Sequence, residues 1–189
     1  MRDAKRSIVV VAASMLLTGC GYNRIQTLDE QVNAAASQIR VQLQRRYDLI
    51  PNLVETVRGF AQQEQQVFTA VAEARSRLGG AVQSGDVTRM AEANAGLQGA
   101  LGRLLAIAEA YPELRSNQNF LDLQSQLEGT ENRIATARQD YNEAVRVYNS
   151  YIRRFPMVIT AKIIGKGARP YFETTTPEAQ QAPRVELTR

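Results

Sequence analysis

The chain contains no histidine, no tryptophan and one cysteine, Cys20. An intrachain disulfide and a metal site built on imidazole or paired thiolates are therefore excluded. The same absences remove serine–histidine and cysteine–histidine pairs as nucleophile and base. No metal or cofactor is expected, and paired carboxylates could still work as an acid and a base.

Strong charge of one sign is also absent, since the formal net charge is +4. Residues 1–19 hold three basic side chains and one acidic side chain, so a chain that begins at Cys20 would carry +2. This is too weak a positive charge to indicate a nucleic-acid-binding protein.

The N-terminus has the layout of an export signal. A basic start is followed by an apolar run from Ile8 to Leu17, which is shorter than the ~20 residues that a membrane-spanning helix needs. The run ends in Leu17-Thr18-Gly19-Cys20, which matches the bacterial lipobox. We predict that residues 1–19 are a lipoprotein signal peptide and that Cys20 carries lipid, the alternative being a free thiol.

The longest amphipathic pattern begins at Asn117 and ends at Phe155. Its apolar positions alternate spacings of three and four residues, which predicts one long helix with a coiled-coil-like buried seam. The seam residues are Phe120, Leu123, Leu127, Thr130, Ile134, Ala137, Tyr141, Ala144, Tyr148, Tyr151 and Phe155. A helix this long is not stable alone in water, so other helices are expected to cover its seam.

Three shorter amphipathic segments precede the long one. The four predicted helices are residues 23–47, 51–78, 87–111 and 117–155. They predict an all-α fold, specifically an antiparallel up-and-down four-helix bundle.

Prolines, glycines and capping residues set the predicted helix boundaries. Pro51 is expected to begin the second helix, and Gly79-Gly80 to end it or to begin its unwinding. Asp86 and Ser116 are expected to cap the third and the long helix.

Several motifs in these segments carry a family resemblance. They are Leu28-Asp29-Glu30, the run from Gln44 to Val54, the run from Leu101 to Pro112, the run from Leu127 to Ala135, Tyr141-Asn142, Tyr148-Asn149, and Arg153-Arg154-Phe155-Pro156. With them the chain resembles the LemA family from Gly21 to Glu173, and residues 20–172 are predicted to be a LemA-like domain.

The resemblance implies a helical bundle on the extracytoplasmic side of a membrane. Family members usually carry an N-terminal transmembrane helix, which this chain replaces with the lipobox. No biochemical activity is established for the family, which is associated with envelope stress and with a membrane protease. We therefore expect a non-catalytic interaction or scaffold module, anchored in the cell membrane or outer membrane and facing the periplasm, with another envelope protein as its partner.

Two polar stretches are candidates for an interaction patch. The residues are Arg45, Arg46, Asp48, Asn52, Glu128, Glu131, Asn132 and Arg133. Their structural interpretation is a helix corner held by caps and dipoles, together with interhelical hydrogen bonds that set the register of the long helix. Their functional alternative is an envelope enzyme that uses Glu128 and Glu131 as acid and base.

The C-terminal region divides into an apolar and a polar part. Residues 157–164 are expected to form a short helix or a strand-like segment packed on the bundle, with contact to the membrane surface as the alternative. Residues 173–189 lack periodicity and are predicted to be a disordered tail.

Overall fold

The computed structural model describes the backbone of residues 2–173 and the side chains of residues 21–173. Its helices are α1 (Arg2–Arg58), α2 (Gln65–Ser84), α3 (Val87–Ala110), α4 (Pro112–Arg115), α5 (Gln118–Ile152) and α6 (Met157–Ile163). Residues 2–173 contain no strand, so the predicted all-α class is confirmed. The signal-peptide prediction concerns side chains outside the described residues and stays a prediction, as does the disordered tail beyond Glu173.

α1 does not end before Pro51, and the prediction that a new helix begins there is wrong. Proline has no N–H to donate to the carbonyl four residues earlier, which here belongs to Tyr47. That carbonyl instead accepts a hydrogen bond from Arg75 Nε of α2 at 3.1 Å, and the Arg75 guanidinium stacks 3.8 Å from the centre of the Tyr47 ring. A residue of the next helix thus replaces the missing bond, and α1 continues to Arg58.

The first break in the bundle comes at residues 59–64, inside the segment predicted as a continuous second helix. α2 then passes through Gly79 and Gly80 and ends at Ser84, so the predicted stop at these glycines is also wrong. Gly85 follows as the C-terminal cap, and its φ of 68° is the left-handed conformation that glycine adopts without strain.

The caps of α3 and α5 explain where these helices begin. Asp86 accepts hydrogen bonds from the backbone N–H groups of Thr88 and Arg89, as the sequence predicts. The predicted cap Ser116 does not cap α5. Asn117 does, by accepting from the N–H of Phe120 at 3.1 Å.

The long helices α1 and α5 pack against each other more extensively than any other pair of the described helices. Arg46 of α1 contacts Glu131 of α5. Farther towards the start of α1, Asp29 binds Arg169, whose backbone binds Asn149 of α5. Since the residue number rises on α5 as it falls on α1, the two helices run antiparallel.

α2 and α3 pair with each other and cover only part of α1. Gly79 of α2 packs on the Tyr47 ring, and Gly85, at the end of α2, lies near Arg40. We call residues 40–58 of α1 with α2 and α3 the hairpin half. Residues 165–173 follow α6 without regular secondary structure, and we name them the strap. The strap, α6, residues 21–39 of α1 and residues 134–152 of α5 form the strap half. The predicted four-helix layout does not describe the strap half, and its up-and-down order stays a prediction.

Most of the predicted seam of α5 is buried, whereas Leu123, Ala144 and Tyr151 are half-buried and its last residue is exposed. Ile134, Tyr141 and Tyr148 are almost completely buried. Phe155 lies beyond the end of α5 and is 82% exposed, so its assignment to the seam is wrong. Residues 157–163 form the short helix α6, which packs on α1 and α5, so the short helix rather than the strand-like segment is confirmed. Contact of this segment with the membrane surface stays a prediction.

Candidate functional site

A buried arginine connects three helices in the hairpin half. Arg46 of α1 is 4% exposed. Its Nη1 donates to Asn94 Oδ1 of α3 at 2.9 Å and to Glu131 Oε2 of α5. An ion pair and a hydrogen bond at one guanidinium therefore set the relative positions of α1, α3 and α5.

The electrostatics of Arg46 show the cost of its burial. Burial lowers the pKa of Arg46, and the negative charge and hydrogen bond of Glu131 oppose this shift without cancelling it. Arginine nevertheless keeps its charge at neutral pH. The Nε of Arg46 is buried and has no hydrogen-bond partner among the described residues, so Glu131 is the main compensation for this cation.

The predicted interaction patch does not form one surface. Arg45, Asp48, Asn52, Glu128, Asn132 and Arg133 are exposed, whereas Arg46 is buried and Glu131 is half-buried. Asp48 and Glu128 accept hydrogen bonds from glutamines one helical turn away. The predicted interhelical bond is therefore present at Glu131 and absent at Glu128, which points away from the other helices.

Two members of the patch line a groove between α1 and α5. Asn132 and Arg133 face it from α5, and Gln38 and Gln42 face it from α1. The Oε1 of Gln42 is buried and has no hydrogen-bond partner among residues 21–173. The groove is therefore lined by polar side chains, while this unpartnered acceptor is itself closed off from its surface.

A second polar cluster lies in the strap half, where the two Tyr-Asn motifs bind the strap. Asn149 accepts from the backbone N–H of Arg169 at 2.8 Å and donates to its carbonyl at 2.9 Å. Asn142 contacts the N–H and the carbonyl of Phe172 in the same way, at 2.8 and 3.4 Å. Each asparagine side chain thus satisfies both backbone groups of one strap residue.

The spacing of these motifs matches the geometry of an extended chain beside a helix. Seven residues of helix rise about 10.5 Å, and three extended residues span about 10 Å. Asparagines seven apart on α5 can therefore bind strap residues three apart. Sequence analysis used the Tyr-Asn repeat as a family motif and missed this role, although its seven-residue spacing was the available signal.

The tyrosines of the same motifs also bind the strap, through hydrogen bonds to its backbone carbonyls. Tyr148 donates its hydroxyl to the carbonyl of Gly167 and Tyr141 donates to that of Pro170, at 3.1 and 2.9 Å. Burial raises the pKa of Tyr141, and burial together with the charge of Asp29 raises the pKa of Tyr148. Both hydroxyls therefore stay protonated donors at neutral pH.

An acidic residue of α1 completes the strap cluster. Asp29 is 5% exposed and accepts from Lys166 Nζ at 2.6 Å and from Arg169 Nη2 at 2.8 Å. Burial raises the pKa of Asp29, but the hydrogen bonds and charges of these two cations outweigh it and hold the pKa below its ordinary value of 3.8. Asp29 is therefore ionised at neutral pH and links the strap to α1 through two ion pairs.

Two further properties concern the side chains that the structure describes. Residues 21–173 contain no group of three or more acidic, cysteine or histidine side chains that could hold a metal ion. Among the described helices, none has an apolar stretch of the length that a membrane crossing requires.

Comparisons with known proteins identify relatives over most of the chain. The model of the LemA family matches residues 35–187. Magnetosome proteins MamQ 1 and MamQ 2 of Paramagnetospirillum magneticum are each 30% identical, over 88% of this chain and 69% of their own length. Magnetosome protein MamQ of Magnetospirillum gryphiswaldense is 28% identical, over 88% of this chain and 68% of its own.

Proposed function

Because the chain belongs to the LemA family, we propose that it is a lipid-anchored envelope protein whose bundle is a non-catalytic interaction module facing the periplasm. The observation that carries the proposal is the packing of Gly21. This residue is buried, and a Cβ placed on it would collide with Met157 Sδ of α6. The packed part of the bundle therefore reaches at least to the residue that follows Cys20.

This packing determines how the anchor would work. A lipid on Cys20 would hold the bundle directly at the membrane surface, because no flexible linker separates residue 20 from the packed helices. Lipoprotein acylation adds more than one chain, which gives stable attachment where a single chain would not.

The acidic residues support a structural role better than a catalytic one. Glu131 binds the buried Arg46, and Glu128 is exposed and binds Gln124 of its own helix. Neither the family description nor the names of the magnetosome relatives states a reaction. The alternative of an enzyme with this carboxylate pair has no supporting observation.

A partner in the envelope is the remaining element of the proposal. The groove of Asn132, Arg133, Gln38 and Gln42 offers polar groups to another protein. The resemblance suggests a membrane protease or an envelope-stress component, and the relatives are magnetosome proteins. Co-purification from detergent extracts with wild-type protein and with Arg133→Glu would identify a partner that needs the groove.

Lipidation is tested by Cys20→Ser. The variant should remain an uncleaved precursor that incorporates no labelled fatty acid, whereas Asn23→Ser, three residues away, should be processed and labelled like the wild type. Mass spectrometry of the wild type should show a diacylglyceryl group on an N-terminal Cys20. An unmodified thiol, or an intact Met1 N-terminus in the membrane fraction, would refute the anchor.

A further inference from the structure

The outer face of α6 is the most apolar exposed surface near the start of the bundle. Ile159 and Ile163, one helical turn apart, are 51% and 78% exposed, and Phe155 just before the helix is more exposed still. The opposite face of α6 is buried through Thr160 and Ala161. The apolar side chains therefore face outward because α6 already packs on α1 and α5 with its other face.

Basic residues surround these side chains. Arg153, Arg154 and Lys162 are exposed, and none of the ion pairs formed within residues 21–173 involves them. The sequence has no aspartate or glutamate from Ala144 to Phe172. We name Arg153, Arg154, Phe155, Ile159, Lys162 and Ile163 the α6 patch.

The α6 patch lies at the same end of the bundle as Cys20. Met157, in the first turn of α6, packs on Gly21. The exposed Tyr22 follows on α1, and tyrosine is common at membrane interfaces because its ring has an apolar body and a polar tip. An apolar, basic surface at the predicted anchor point fits an anionic lipid surface in shape, charge and position.

We propose that the α6 patch is a second membrane contact, which inserts its apolar side chains into the interface of an anionic leaflet. This membrane contact rests on the proposed function in one respect, because the lipid on Cys20 brings the bundle to the membrane surface. Phe155, Ile159 and Ile163 lie at the level of the lipid headgroups, and Arg153, Arg154 and Lys162 bind lipid phosphates. Two contacts at one end fix the orientation of the bundle and present the Asn132–Arg133 groove at a set height above the membrane.

The absence of native tryptophan makes depth measurable in the full chain. Ile163→Trp places a single fluorophore in the patch. Val41→Trp is the matched control, because Val41 is also exposed but lies about 30 Å farther along α1 from residue 21. Both proteins are reconstituted in vesicles of phosphatidylcholine and phosphatidylglycerol that contain brominated lipid. Flotation of the vesicles measures attachment, and quenching measures depth.

The expected result is a blue-shifted tryptophan emission from the Ile163→Trp protein. Brominated lipid should quench this emission at least about threefold more strongly than the emission of the Val41→Trp protein. Adding Arg154→Glu and Lys162→Glu to the Ile163→Trp protein should reduce the quenching towards the control, as should vesicles without phosphatidylglycerol.

Equal quenching at both positions in chains that float would overturn the inference and leave the anchor intact. A blue shift that depends on protein concentration and resists brominated lipid would also overturn it, and would assign the patch to a second copy of the chain. Failure of the wild-type chain to float would count against the anchor instead. Quenching of the Ile163→Trp protein is then measured with vesicles that contain more phosphatidylglycerol, and absence of quenching there would overturn the membrane contact of the α6 patch.

Discussion

The two halves of the bundle cover the long helices in different ways. In the hairpin half, α2 and α3 pack on each other and on α1, and they bury aliphatic side chains such as Leu78, Leu97 and Leu104. In the strap half, an extended segment and a short helix take their place. One half is therefore closed by side-chain packing and the other largely by hydrogen bonds to backbone.

The difference follows from which backbone hydrogen-bonding groups each covering element leaves without a partner. A helix bonds its own N–H and carbonyl groups, so it can cover a seam with apolar side chains alone. An extended strap has free backbone groups at every residue and needs partners for those it buries. Asparagine offers a donor and an acceptor together, which explains why Asn142 and Asn149 stand next to the seam tyrosines of the strap half.

The largest expected effect comes from Ile134→Ala, at the junction of the halves. Ile134 is fully buried, so the variant should lose about 2 to 5 kcal/mol of unfolding free energy. Urea denaturation measures this, and hydrogen exchange should show faster opening of both α3 and the strap. Gln139→Ala, exposed on the same helix, is the control. A loss below about 0.5 kcal/mol would mean that this position is not in the core.

A smaller effect, specific to the hairpin half, is expected from Glu131→Ala. It leaves the buried Arg46 without its carboxylate and should lower the unfolding free energy by about 2 to 3 kcal/mol. Glu128→Ala, three residues away and exposed, should change it by less than about 0.5 kcal/mol. Equal effects of the two substitutions in urea denaturation would show that the ion pair contributes nothing.

The smallest effect should be confined to the strap half and depend on pH. Asp29 faces Lys166 and Arg169 of the strap and Tyr148 of α5. Because its pKa is lowered in the folded state, its contribution is complete above about 3.8 and is lost as the pH falls through the lower folded value. The backbone amide signals of Arg169 and Phe172 should therefore shift in NMR spectra as the pH falls below 3.8, before those of α3.

Two variants check the origin of this pH dependence. Asp29→Asn should show the released strap signals already at pH 7, and Asp48→Asn, exposed on the same helix, should behave as the wild type. Strap signals that stay unchanged until the whole protein unfolds in acid, or an Asp29→Asn protein that titrates like the wild type, would contradict the role of Asp29.

Helix faces were predictable from the sequence, and helix boundaries were much less so. The seam of α5 follows from apolar spacing, because burial on one face imposes the helical period on the sequence. The continuation of α1 through Pro51 could not be foreseen, since it depends on Arg75, which lies 28 positions from Tyr47 along the chain. The predicted patch shows the same limit, because only packing distinguishes the buried Arg46 from the exposed Arg45.

By itself the sequence determined the all-α class, the buried faces and the family, because these depend on local periodicity and on contiguous motifs. The tertiary structure alone decided which charges pair, how the strap is bound and which face of α6 stays uncovered. These depend on the antiparallel register of α1 and α5, which brings Asp29 to Arg169 across 140 positions of chain. Local sequence patterns carry no information on such distant pairings. In its own segment, each partner cannot be distinguished from an ordinary exposed charged residue of a helix or a tail.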